Sequence, residues 1–216
     1  MPQSTHKGLR EGTGRQPELT RREKLIGGAP TEPEAFLRWS AQRRREEGKF
    51  ELSRGRVVCN MINASRPHSR VAKNMVLELG HLLDPDRFDI GIADFAVQTP
   101  VGIRSPDVVV DFANPHRDLS TSTPIFIAEV LSPSTAGTDF TEKLEEYTAI
   151  KTLQTYLICS QDEPRAWVWA RQGDGSWPRL PTELVGRDGS IALGRLDIEL
   201  ATAAIFRGTP DAPTVE

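Results

Sequence analysis

Two acids stand where acids are costly. Glu129 interrupts the apolar run 125–131 (IFIAEVL), and Asp107 heads Val108-Val109-Val110 directly after Pro106. A carboxylate inside a buried strand is expensive without a partner, so each of these calls for a cation or a bonded neighbour. Carboxylate oxygens suit Mg²⁺ or Mn²⁺, and Mg²⁺ needs only one or two of them when water and phosphate complete its shell. Placed at the ends or middles of adjacent strands, Asp107 and Glu129 would converge on one face of a sheet. Taken singly, each has a plainer reading. Asp107 would serve as a turn cap after Pro106, and Glu129 as the partner of one arginine or lysine.

Three further residues are candidates. Lys143 follows Asp139 by four positions, the spacing of a surface helix ion pair worth about 0.2–0.5 kcal/mol, and Tyr147 extends that face by one turn. Glu51 lies between Phe50 and Leu52, so strand alternation puts it on the face opposite to theirs, either as an outward hairpin residue or as an inward acid. His68 opens a helix, where it would contact phosphate, tune a metal-bound water, carry a proton or bond a carbonyl. His81 and His116 lack such company and read as surface residues. Cys59 and Cys159 sit in apolar runs and read as buried thiols.

Other chemistries lack their signatures. The chain has no G-x-S-x-G nucleophile elbow and no G-x-x-x-x-G-K-[ST] phosphate loop. Trp167 and Trp169 alternate on one strand face, which reads as core or interface packing rather than a platform for bases. The net charge of −3 argues against binding nucleic acid by bulk electrostatics, so any such contact must be local, short-lived or metal-assisted.

The elements that position these residues follow from periodicity. Residues 1–29 are polar and read as a disordered lead, with a short helix weighed around 21–26; residues 207–216 read as a frayed tail. Between them, 30–206 forms a single domain. A helix begins after Thr31 with Pro33 in its first turn. Residues 50–52 and 56–62 flank Ser53-Arg54-Gly55 as a hairpin. Val71, Met75 (or Val76), Leu79 and Leu82 give a helix over 67–83. Strands are expected at 88–98, 108–112, 125–131, 155–159 and 166–170, with 100–106 as a turn and a helix over 139–150. The segments 191–193 and 200–206 complete the core. No run is long and apolar enough to span a membrane. The order predicts an α/β (α+β) architecture, a mixed β-sheet core flanked by helices.

Pro106-Asp107, then Glu129 in a strand, then an acid-lysine helix resembles the PD-(D/E)XK nuclease superfamily. More narrowly, the chain resembles the Uma-two family over about 30–206. The matching pieces are Phe50-Glu51-Leu52 before Gly55, His68, Pro106-Asp107, the stretch 128–135 (AEVLSPST), and Asp139, Lys143 and Tyr147. The resemblance implies a restriction-endonuclease-like core with Asp107 and Glu129 as ligands of Mg²⁺ or Mn²⁺. It also implies Lys143, Glu51 and His68 as site residues, nucleic acid (DNA first) as substrate, and a cytoplasmic setting. The superfamily places lysine two residues after the second acid, where this chain has Leu131, and Lys143 becomes its replacement. Dimerisation would suit two-strand cleavage, though no segment argues for it. The rivals are a nuclease-fold module that binds nucleic acid or protein without turnover, and a purely structural interaction protein.

Overall fold

The protein is described by a computed structural model covering residues 20–44, 47–60, 65–93, 95–116, 118–132 and 136–211. Its spine is a six-stranded sheet. Phe126–Val130 (β8) lies at its centre with all five residues buried, because both faces are covered and the run is apolar except for Glu129. On one side of β8 runs the antiparallel strand Val108–Phe112 (β6), followed by Phe88–Ile92 (β3) at the edge. On the other side runs Thr155–Cys159 (β9), parallel to β8. Arg165–Ala170 (β10) and Thr182–Val185 (β11) complete the sheet. The parallel pair β8–β9 needs a crossover, and the helical segment between them supplies it as Ala136–Thr138 (α4), a π turn over Asp139–Lys143, and Leu144–Thr148 (α5).

One face of this sheet packs on Arg66–Leu82 (α3), whose Val71, Met75 and Leu79 recur every four residues and are fully buried. The α3 N-cap is Ser65, whose hydroxyl accepts the His68 N–H, with Pro67 in the first turn. The short helix Thr202–Ile205 (α6) and the hairpin of Ser190–Leu193 (β12) with Ile198–Ala201 (β13) close the same face. Buried Asn74 ties them together by donating to the Ile205 and Arg207 carbonyls. The opposite face carries Val109, Ile127, Tyr156 and Ile158 against α5 and its Tyr147. Phe140 meets Trp167 and Trp169 edge-on there, so both tryptophans are packing residues.

A second sheet stands beside the first. Lys49–Ser53 (β1) and Arg56–Asn60 (β2) form the expected hairpin, and their two-residue loop Arg54-Gly55 has φ of 49° and 74°, the signature of a tight turn matched to strand twist. Gly102–Arg104 (β5), Ala96–Thr99 (β4) and Ser120–Thr121 (β7) extend it. The helix Pro33–Ala41 (α2) covers it through Phe36.

Several expectations are corrected. The strand 88–98 is two strands in different sheets, broken at Ala93, whose φ is 42°. Gly91 permits the fold-back: a Cβ there would lie 2.6 Å from Phe95 and 2.7 Å from Val109. The turn 100–106 contains β5. The short helix weighed within the lead is present as Arg21–Ile26 (α1), with a Thr20/Glu23 capping box, and its Leu25 and Ile26 pack on the second sheet's core. Residues 207–211 are held through Asp211 by Arg187 and by Arg70, which donates to the Gly208 carbonyl at 2.6 Å; residues 1–19 of the lead and 212–216 of the tail lie outside the described residues. Residues 61–62 of the second strand, and Pro133, Ser134 and Thr135 of the stretch 128–135, lie outside the described residues. Among the described residues, no helix is long and apolar enough to cross a membrane.

Candidate active site

Strand register places the two acids. Val108 pairs with Ala128 across β6 and β8, so the next positions, Asp107 and Glu129, stand opposite each other at the end of the ladder. Alternation puts Glu129 with Ile127, toward α5, whereas the Asp107 carboxyl, just beyond the strand, meets His68 of α3. Glu129 is 3% exposed. Its Oε1 lies 2.8 Å from Lys143 Nζ and accepts the Tyr147 hydroxyl at 3.0 Å. The same ammonium lies 2.8 Å from Asp139 Oδ1, a contact of charge, since neither Asp139 oxygen has a well-aligned hydrogen-bond partner among the described residues. Asp139, Lys143 and Tyr147 are thus one buried stripe facing the sheet, and the surface ion pair weighed for Asp139 and Lys143 is overturned. The π turn that carries the first two is pinned by the Tyr156 hydroxyl, which donates to the Asp139 carbonyl at 3.1 Å; such turns recur at functional sites.

Asp107 is held from three sides. Its Oδ2 accepts the Val130 N–H at 2.8 Å and lies 3.1 Å from His68 Nε2, while Oδ1 lies 4.0 Å from Lys49 Nζ. His68 reaches it from the first turn of α3, so its partner is the acid and not a carbonyl. Burial alone would raise the Asp107 carboxyl; the His68 bond, the Lys49 charge and the Val130 N–H outweigh it and hold the carboxyl down at about 2. Glu129 behaves oppositely. Burial pushes it up; Lys143 pulls it back, against like charge on Asp139 and Asp107. Burial would lower Lys143, yet Glu129, Glu51 and Asp139 hold it above the ordinary lysine range.

Glu51 is buried, at 1% exposure, so the outward hairpin reading is overturned. Its direct partners are Arg104 Nη1 at 3.2 Å, the Ser105 N–H at 3.0 Å and Asn60, while Lys143 acts on it through charge. Arg104 had not been singled out from the sequence, yet it is the hub beneath the site. At 2% exposure it also grips Glu146 through Nε at 2.7 Å and Nη2 at 2.8 Å, and it donates to Ser53 Oγ at 3.0 Å. The Arg104 fork therefore ties β1 and β5 to the helix bearing Lys143 and Tyr147. Lys49 was likewise missed. A basic residue at a strand head two positions before an acid was the available signal.

All five expected residues line one cavity of about 1050 Å³. Asp107, Glu129 and Lys143 belong to its floor, His68 to the α3 wall, and Glu51 to the β1 side. Among the described residues no group of three or more His, Cys, Asp or Glu forms a ready metal cage. The donor set is two facing carboxylates open to a cavity, which fits a hard divalent cation completed by water and phosphate oxygens. It does not fit a site built from protein ligands alone.

The Uma2 family model, described as "Putative restriction endonuclease", matches residues 33–202. Two uncharacterized proteins of Synechocystis sp. are similar. The protein sll1609 is 30% identical over 156 residues, 69% of this chain and 86% of that protein. The protein slr1290 is 28% identical over 181 residues, 82% of this chain and 91% of that protein. A crystal structure from Anabaena variabilis, described as "a putative nuclease belonging to DUF820", superposes with a TM-score of 0.62 at 16% identity. It covers 79% of this chain and 96% of its own, and it shows the shared fold. With the family model spanning both sheets and every residue that lines the cavity, the chain belongs to the Uma2 family.

Proposed function

We propose that this protein hydrolyses phosphodiester bonds of nucleic acid, DNA first, as an endonuclease using one Mg²⁺ or Mn²⁺ at Asp107 and Glu129. The observation that carries the reading is that these two carboxylates, each one residue past the Val108–Ala128 pair of adjacent strands, line one open cavity beside a buried lysine. The cation would supply Lewis-acid stabilisation of the phosphate and a more acidic bound water. The chain's own residues do the positioning. His68 and the Val130 N–H keep Asp107 ionised and aimed, while Tyr147 and Lys143 fix Glu129. Lys143, between two carboxylates, stays an ammonium; its role is to hold Glu129 and offset negative charge at phosphorus, not to take a proton. In the step itself a water oxygen bonds to phosphorus as the bond to one sugar oxygen breaks, leaving a phosphate monoester and a hydroxyl.

One observation favours a rival, a nuclease-fold binding module without turnover: Lys143 is engaged by two acids and position 131 carries leucine. Calorimetric titration with Mn²⁺, run beside cleavage of a labelled oligonucleotide, separates the two. Metal binding that disappears in both Asp107→Asn and Glu129→Gln, together with metal-dependent cleavage by the wild type, supports the enzyme. Binding without cleavage selects the module.

A further inference from the structure

The cavity holds a second lysine whose circumstances differ from those of Lys143. The Lys143 side chain is 5% exposed and is engaged at 2.8 Å by both Glu129 and Asp139. The Lys49 side chain is 26% exposed, lines the same cavity, and among the described residues makes one ion contact, 4.0 Å from Asp107 Oδ1. That distance is too long for a hydrogen bond. The oxygen it approaches is the one turned away from His68 and the Val130 N–H, which both meet Oδ2. The position of Lys49 is set by the backbone. Gly48 enters β1 at φ 138°, and a Cβ there would lie 2.5 Å from Cys59 Sγ, so the residue before Lys49 must be glycine.

A lysine ammonium is a point charge on a flexible stem with three donors. Here it has room, a tether looser than a hydrogen bond, and a location beside the proposed metal-binding acid. A cation held at Asp107 would repel the Lys49 ammonium from that oxygen toward the cavity, where an incoming phosphate oxygen is the anion that would compensate it. We infer that Lys49 Nζ contacts the phosphate undergoing cleavage, which makes Lys49 a catalytic residue alongside the metal-binding acids. The inference rests on the nucleic-acid reading of the cavity.

Anisotropy of a 5′-labelled oligonucleotide, single-stranded and duplex, tests the contact without turnover when Ca²⁺ replaces Mn²⁺. Wild type, Lys49→Ala and Lys49→Arg are each titrated across a range of salt. Loss of one charge-assisted phosphate contact should weaken binding by Lys49→Ala by about 10-fold or more. It should also make the dependence of log K on log salt shallower by about 0.7–0.9, with Lys49→Arg recovering most of both. A lysine that only neutralised Asp107 would alter melting temperature and leave the salt slope alone. Plasmid nicking with Mn²⁺ separates the layers: nicking by the wild type with an unchanged slope in Lys49→Ala overturns the contact and spares the nuclease. Failure of the wild type to bind either oligonucleotide overturns both.

Discussion

Replacing Arg104 by methionine is the perturbation whose cost the structure defines best. The methionine fills most of the volume but leaves Glu51 and Glu146, at 1% and 2% exposure, without their guanidinium. Breaking a buried pair by removing one partner costs about 3–5 kcal/mol, because the abandoned charge stays desolvated. Glu51 keeps the Ser105 N–H and Asn60, and Glu146 keeps the Ser53 hydroxyl at 2.7 Å, so the lower end, about 3 kcal/mol, is the expectation. At roughly 2–4 °C per kcal/mol for a chain of this size, the melting temperature should fall by about 6–12 °C. Urea and thermal denaturation near neutral pH measure it. Adding Glu51→Gln and Glu146→Gln to Arg104→Met should recover part of the loss, since no lone charge then remains. The sign with pH is also fixed. Burial would raise both carboxyls; Lys143, Lys49 and then Arg104 hold Glu51 below its ordinary range, and Arg104 with Ser53 holds Glu146 below it, so the Arg104 contribution is present above that range and disappears as pH falls through the depressed values. A loss under about 1 kcal/mol, or one that the two glutamine substitutions deepen, refutes the network as the link between the second sheet and the lysine helix.

Asp107 should make its own pH signature in the metal-free protein. Its carboxyl is lowered from 3.8 to about 2, worth about 2 kcal/mol present above 3.8 and lost as pH falls toward 2. Urea midpoints of wild type and Asp107→Asn should therefore converge in acid; a gap of equal size at both ends of the range contradicts the ion cluster. Lys143→Met leaves Glu129 and Asp139 unpaired and should destabilise the metal-free protein by about 3 kcal/mol. Mn²⁺ should offset part of that loss in thermal melts, and no offset argues against Glu129 as a ligand. Gly102→Ala drives a Cβ into the Leu52 carbonyl across the β1–β5 ladder. It should lower the urea midpoint more than alanine at Gly137, where nothing lies within 4 Å; equal effects would refute the close approach.

Much of the site was legible because it lies on local patterns. An acid within an apolar run implies a buried strand position, and two such strands in antiparallel register bring Asp107 and Glu129 face to face. Spacing of four along the helix put Asp139, Lys143 and Tyr147 on one stripe, but spacing alone does not say which way a stripe faces. The sheet at its back, through Tyr156 and Ile158, turns it inward. Arg104 was hidden because its partners lie 38 to 53 residues away and its strand is three residues long between two prolines. The break within 88–98 was hidden for another reason. An alanine, rather than the glycine or proline that usually marks a reversal, takes the positive φ at 93, and the glycine that permits the reversal sits two residues earlier as if it belonged to a strand.

The measurement that tests the central claim most directly is nicking of supercoiled plasmid by the purified protein with Mn²⁺ and then Mg²⁺, beside Asp107→Ala. Relaxed plasmid is expected with either metal, none with chelator present, and none from the variant despite its retained fold. Nicking that survives Asp107→Ala, or that needs no metal, contradicts the claim.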